Sequence, residues 1–551
     1  MLYEILSVWG IFLSSIGWGA WLKYFLHLKN NSLAITSLLG FALLFVLSFL
    51  ISLVSPLDGK IEIVCIALSS IPYFLKQFHL YKLLTSNHVF KSCWFWLFTA
   101  FILLVGSYYP FNSDHFGYYI PTINWLNQYG TVCGLANINW TLGQLSSFHF
   151  IQACFDSTLD IYIRLNVCIS VIFLVYIFER KAFLLLLFIP FYFLYVQSAT
   201  PDIIVFFLCL LITNELYKNS EKTNFQTLLI LSTFAFIVKP VAFWIPLWVF
   251  IVGLSKHGRK ILHYNYYLFP ILLVILYLIK NFIVSSTLLF PVTFTKIPTY
   301  WLTDSKILEI SKQEAAYYTF DHYFSAEKAY NFSIYEKIYY WFSLRELQTV
   351  VNIFISVVTI VFGFFSIYKK KFIFLSLWSL ILLKFIITFL FSGQYRFFLD
   401  GIYPMLFILI SQIRFARLPT LTFITSLYFL ALLCISYPSI LKKTLPQFKL
   451  SNYIHGFSKK ALIRPENYVI KKYSKEKLGT LNFNVTKSYG YTFDIPAPAF
   501  TLYMLKTYCD LSIFPQLKDS SNIKKGIYMK KLTDVEKEKL LLILKKLEIK
   551  K

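Results

Sequence analysis

Four charged residues sit where a mostly apolar chain reverses direction: Asp114, Asp202, Lys239 and Arg396. A carboxylate is a common general base towards a hydroxyl. An arginine grips a phosphate through parallel N–H bonds, and a lysine holds one as a point charge. Two acids and two cations on one surface would suit proton removal beside a bound phosphate or diphosphate. Each residue also has a plainer reading. Asp114 precedes a helical run at 118–129 and is a favoured N-cap type. Asp202 follows Pro201 at the start of a helix, beside the positive end of its dipole. Lys239 and Arg396 can snorkel to an interface. Anchoring explains one such residue more easily than four together.

The elements that must position these residues are membrane helices. The chain has 551 residues, of which 57% are hydrophobic and only 14% charged. A soluble chain is nearer half apolar and a quarter charged, and here the excess comes as repeated apolar runs. The net charge of +25 lies in short clusters between those runs and in the tail. That is not the basic stripe with interleaved aromatics expected of a nucleic-acid binder. The 58 Phe and 39 Tyr suit aromatic belts at two interfaces. The eight cysteines show no metal-type spacing. Cys133 and Cys154 share one loop, where a disulfide and two buried thiols are both open readings. The first apolar run, 5–25, is too long for a signal peptide and lacks a basic leader.

Loop charge sets the orientation. No Lys or Arg occurs between Lys91 and Arg164. Cytoplasmic loops carry the excess of these residues, so this loop belongs on the other side. About fourteen apolar segments precede residue 437, near 4–26, 32–54, 61–75, 92–109, 159–178, 182–198, 202–217, 225–238, 240–254, 264–283, 347–367, 372–391, 397–413 and 419–436. Basic clusters at 179–181 and 218–222 bracket a hairpin with its tip at 197–202. Lys222 and Lys256 bracket another whose midpoint is Lys239-Pro240, where the proline breaks a helix. Lys369-Lys370-Lys371 and Arg414 with Arg417 bracket a third, tipped at 392–396. Three tips and the first loop then share one face, carrying all four charges. Outer regions at 284–345 and 437–551 complete the plan. The tail should be a small soluble domain ending in a helix over 533–550, striped by Leu540, Leu541, Ile543, Leu544 and Leu547.

Ser113-Asp114-His115-Phe116-Gly117-Tyr118-Tyr119-Ile120 and the downstream Gly134-Leu135-Ala136-Asn137 carry a resemblance. Lys280-Asn281-Phe282-Ile283-Val284-Ser285-Ser286 with Phe290-Pro291, and Tyr395-Arg396-Phe397, extend it. Outer-loop Asp, surface helix, Pro-Asp at the next outer tip and Lys at a hairpin tip resemble membrane glycosyltransferases of the GT-C type. The motifs resemble in particular a bacterial subgroup of long multi-pass proteins of unassigned function. In that subgroup a His often stands where Ile120 is, a Gly where Ser286 is, and a cysteine pair where the tail has Cys509.

The resemblance implies an all-α polytopic fold of about fourteen spans. Accessory helices would occupy 1–90, a GT-C-like core 91–436 with outer loops 110–158 and 284–345, and an extracytoplasmic domain 437–551. It implies a polyprenyl phosphate- or diphosphate-linked sugar donor, a lipid or glycan acceptor of the cell envelope, and an inverting single displacement in the bacterial inner membrane. Asp114 and Asp202 would be catalytic. Lys239, Arg396 and Lys280 would hold the donor phosphate, and His115, Tyr118, Asn137 and Asn281 would support them. A divalent cation, Mg or Mn, remains open, although the spacing builds no dedicated metal site. Rival expectations are a lipid-linked oligosaccharide polymerase or ligase working through Arg and His of large outer loops, and a transporter or flippase with a midplane site.

Overall fold

Every apolar segment read from the sequence becomes helical, because a backbone in lipid must satisfy its own hydrogen bonds. The structure is a computed structural model. It describes all residues except 30–31, 79, 86, 219–223, 321, 345–346, 414–416, 445–453, 471, 487–488 and 550–551. Part of the basic cluster at 218–222, and Arg414, lie outside the described residues.

The N-terminal helices are α1 (Leu2–Phe25), α2 (Leu33–Val54), α3 (Gly59–Phe74), α4 (Leu80–Thr85) and α5 (Cys93–Gly106). The loop after α5 holds α6 (Ile120–Tyr129) and α7 (Ser147–Ala153). Then come α8 (Leu165–Arg180), a 3-10 stretch at Phe183–Tyr192, α9 (Asp202–Lys218), α10 (Phe225–Val238), α11 (Trp244–His257) and α12 (Leu268–Ser285). The region after α12 carries α13 (Ser305–Thr319), α14 (Ala326–Tyr330) and α15 (Ile334–Ser343). It is followed by α16 (Leu347–Lys369), α17 (Phe372–Phe391), α18 (Leu399–Ile410), α19 (Arg417–Ser436) and α20 (Pro438–Thr444).

Among the described residues, seven helices are long and apolar enough to cross a membrane, or up to eight if a pair bent by 84° before α5 is one span. The rest are shorter. The 3-10 stretch, α10 and α18 are apolar but have only 10–17 residues. At 1.5 Å per residue such pieces fall short of about 30 Å of hydrocarbon, so fourteen apolar runs do not translate into fourteen full-length helices. The outward faces of α16 and α17 are apolar, with Val350, Phe354, Val357, Phe364, Ile386 and Phe391 all exposed. An aqueous surface would not carry so large a patch. Helices α1 and α2 cross closely through small residues. A Cβ on Gly40 would lie 1.9 Å from the Ser15 carbonyl, so only glycine fits there.

The tail is not all helix. A hairpin of β1 (Tyr473–Leu478) and β2 (Leu481–Thr486) is extended by β3 (Ala499–Thr501), which runs parallel to β2. After α21 (Leu502–Leu511), strands β4 (Ile513–Leu517) and β5 (Ile527–Lys531) pair antiparallel. These strands are only three to six residues long, which hid them beside the long apolar runs. The last helix, α22 (Asp534–Ile549), buries Leu540, Ile543, Leu544 and Leu547 as its spacing predicts, while Leu541 faces out.

Candidate functional site

The site is built from four chain reversals. The loop after α5 enters α6 through a π-helical turn, His115–Tyr119. Such turns are rare and widen the helix at one point. Asp114 heads this turn, yet its side chain caps nothing. Its Oδ2 instead accepts a 2.8 Å bond from Nη1 of Arg396. Arg396 lies in a 3-10 turn, Tyr395–Phe397, between α17 and α18, and its Nε donates to Gln394 Oε1 at 3.0 Å. This pair is partly open: side-chain exposure is 31% for Arg396 and 25% for Asp114.

The second pair is deeper. Asp202 opens α9, and its Oδ1 accepts from the Lys239 amine. Lys239 follows the last turn of α10 in extended backbone, where Pro240 prevents the helix from continuing. Thr200 donates to Asp202 Oδ2 at 3.1 Å, and the Tyr119 hydroxyl donates to Thr200 Oγ1 at 3.4 Å. One ring joins the two pairs. Lys239 Nζ stands 4.8 Å and Arg396 Cζ 5.4 Å from the centre of Phe397. Cations favour that ring's face, so two acids and two cations occupy one neighbourhood.

The supporting residues divide. His115 is buried, and its Nδ1 accepts the Ala199 N–H at 3.1 Å, tying the π turn to the 197–202 tip. Burial, reinforced by the charge of Arg164, holds its imidazole well below the usual range, so it is neutral. The Tyr118 ring packs tilted against Tyr119, with ring centres 4.3 Å apart. Burial first, and then the Asp114 charge, push its phenol up. Tyr318 of α13 is pushed up for the same reasons in the same order. Both phenols therefore keep their protons and can donate near Asp114.

Lys280, Asn137 and Asn281 do not join these four. Lys280 is buried on α12, donates to the Leu145 carbonyl and lies 4.6 Å over the Tyr277 ring. A buried ammonium must find oxygen, and the nearest oxygen here is a backbone one. Asn137 is a brace: its Nδ2 donates to Trp301 O at 3.2 Å and Ile527 O at 3.1 Å, and its Oδ1 accepts from Asp304 N at 3.2 Å. It thus joins the loop after α5 and the region after α12 to the tail. Asn281 donates to Leu288 O at 2.8 Å and shapes the exit from α12. His149 bonds Gln152 at 2.8 Å, and its imidazole is pushed down to about 4, chiefly by burial. The eight thiols are free, so Cys133 and Cys154 do not form a disulfide.

Two groups escaped the sequence reading. Behind Lys239, Lys384 of α17 pairs with Asp400 of α18, whose Oδ2 accepts from Trp244 Nε1 at 3.0 Å. A charge inside each of two apolar runs was the available signal. Arg164 is buried and donates to the carbonyls of Gly106, Tyr162, Gln197 and Glu466 at 2.5–3.1 Å. It was visible only as the first cation after a long gap. Among the described residues no three His, Cys, Asp or Glu converge on a metal position. Asp114 and Asp202 each already face a side-chain cation, so they do not fit a dedicated metal site.

A family model described as a domain of unknown function (DUF8201) matches residues 1–403. No curated protein matches the chain, and no solved structure does. The matched stretch ends within α18, so Asp114, Asp202, Lys239 and Arg396 all fall inside it, while the tail domain lies beyond. The chain belongs to the DUF8201 family.

Proposed function

We propose that this chain is an integral-membrane glycosyltransferase of GT-C-like architecture, with about fourteen crossings, in the bacterial cytoplasmic membrane. It takes a sugar from a polyprenyl phosphate or diphosphate and passes it to a cell-envelope acceptor on the outer side. The observation that carries this reading is the meeting of Asp114–Arg396 and Asp202–Lys239 around Phe397.

The pairs suggest how the residues divide the work. A phosphate entering between the two cations competes with the carboxylates for them, because charge-assisted bonds to a phosphate are at least as strong. Arg396 then turns to the phosphate and releases Asp114 next to the sugar. The acceptor hydroxyl attacks the anomeric carbon, Asp114 takes its proton, and the bond from that carbon to the phosphate oxygen breaks. The leaving phosphate departs with its charge balanced by Arg396 and Lys239. A single displacement inverts the anomeric centre. Asp202 holds Lys239 in place between turnovers. Tyr118 and Tyr318, both protonated, orient the acceptor.

The test is transfer from a polyprenyl-linked sugar by purified protein in vesicles. Asp114→Asn should lower the rate by about 10²–10⁴-fold, the range for loss of a general base, with an unchanged melting temperature. Full turnover by that variant would remove Asp114 from the chemistry.

A further inference from the structure

The strongest feature outside the four-residue site is α15. Its ten residues, with 3.6 per turn, separate into two faces. Ile334, Tyr335, Ile338, Tyr339 and Phe342 form one continuous apolar stripe, and all are exposed, Tyr335 by 81%. Trp341 flanks the Ile334 edge of the stripe, on the packed side of the helix, and is 1% exposed. A Ser333–Glu336 capping box starts the helix, so the exposed stripe is not a frayed end. A five-residue apolar and tyrosine-rich face left open to water would be costly.

Two contacts fix where this helix sits. Asn352, near the start of the candidate span α16, donates to the Trp341 carbonyl at 2.9 Å. The lipid-type face of α16 begins at Leu347 and Val350, close in sequence to the end of α15. On its buried side, Trp341 Nε1 donates to Gly393 O at 2.7 Å, and the indole packs edge-on against Phe385, Phe389 and Phe398. Gly393 belongs to the reversal that carries Arg396.

We infer that α15 is an interfacial helix, seated at the headgroup–acyl boundary of the bilayer with its Ile/Tyr/Phe stripe in lipid, and that through Trp341 it holds the Arg396 turn at that depth. Tyrosine suits this boundary because the ring is apolar and the hydroxyl stays wet. A helix with one apolar face and a charged opposite edge lies in the plane of the interface. The consequence is lateral: a lipid-borne phosphate diffusing in that leaflet meets Arg396 at its own level. The placement of α15 does not depend on which reaction follows.

The test uses the full chain in phosphatidylcholine vesicles, with Cys93, Cys133 and Cys434 changed to serine. Single cysteines Tyr335→Cys, Ile338→Cys and Glu336→Cys are labelled with an environment-sensitive fluorophore. Lipids carrying a nitroxide near the headgroup should quench positions 335 and 338 at least twofold more than 336. Equal, water-like emission at all three would overturn the proposal, as would cross-linking of position 335 between two copies of the chain. For the link to the site, trypsin cleavage after Arg396 is followed by mass spectrometry. Trp341→Phe, which deletes the bond to Gly393, and Tyr335→Asp with Tyr339→Asp, which unseats the helix, should each raise cleavage several-fold. Unchanged cleavage in both would sink the coupling, and neither readout depends on sugar transfer.

Discussion

Asp114 and Arg396 are 282 positions apart, yet they share one 2.8 Å bond. Each was legible by type and by place at a chain reversal. Their pairing was not, because it depends on how α5, α17 and α18 pack. The capping role suggested by the residues after Asp114 fails for a physical reason: Asp114 has helical backbone angles, φ −58° and ψ −27°, where a capping residue is extended, and its carboxylate is taken by Arg396. The deeper pair gives a sharper prediction. Side-chain exposure is 16% for Lys239 and 9% for Asp202, so removing one partner strands a charge away from water. Asp202→Asn or Lys239→Met alone should cost about 2–4 kcal/mol, while the double variant should cost clearly less than the sum. Denaturation midpoints in detergent measure this; strict additivity would show that the two groups do not interact. Arg396→Lys keeps the charge but loses the planar fork. It should raise the KM for the donor by about tenfold or more while leaving the acceptor KM nearly unchanged.

At the scale of elements, the motif residues prove to be joints as much as chemistry. Gly134 has φ +69°, and a Cβ there would lie 2.1 Å from the Ile527 carbonyl. Gly134→Ala should therefore cost at least about 2 kcal/mol, since the left-handed backbone alone costs 1–2. The readout is protease sensitivity of the tail, which β5 no longer anchors through its bond to the Cys133 carbonyl. Ser286 ends α12 in the left-handed region, φ 57°, which explains why glycine suits this position. Its hydroxyl compensates by bonding Ile297 O and Thr299, each at 2.7 Å. Ser286→Gly should be near neutral, and Ser286→Ala, which keeps the strain and loses both bonds, should be the worse of the two. The imidazole of His149 titrates near 4 when folded against about 6.5 when unfolded. Its contribution to stability is thus complete above pH 6.5 and lost as pH falls towards 4. The melting-temperature difference between wild type and His149→Gln should shrink over that window. Such joints were not legible in spacing, because positive φ and buried histidines are set by neighbours from distant segments.

For the whole molecule, loop charge alone placed the four reversals on one face, and their contacts agree with that grouping. The same parity put the tail on that face; what charge could not give was where the tail docks, since its strands carry no topological signal. The structure supplies a route to it. Phe493 N donates to Phe116 O at 3.1 Å, Arg164 reaches Glu466 O at 2.5 Å, and Lys306 of α13 donates to Leu511 O at 2.8 Å. The tail therefore grips the loop after α5 and the region after α12, and whichever side holds Asp114 holds the tail as well. This makes the orientation testable with two reporters. A tag after residue 551 and a single cysteine at exposed Tyr323 should react together with a membrane-impermeant reagent in intact cells. A cysteine at Lys370, in the basic cluster between α16 and α17, should react only after permeabilisation. Labelling of position 370 in intact cells with protection of the other two would invert the assignment and move Asp114–Arg396 to the cytoplasmic side. Labelling of the tail without position 323 would contradict the contacts themselves, because the bonds through Lys306 and Asn137 require both on one side of the bilayer.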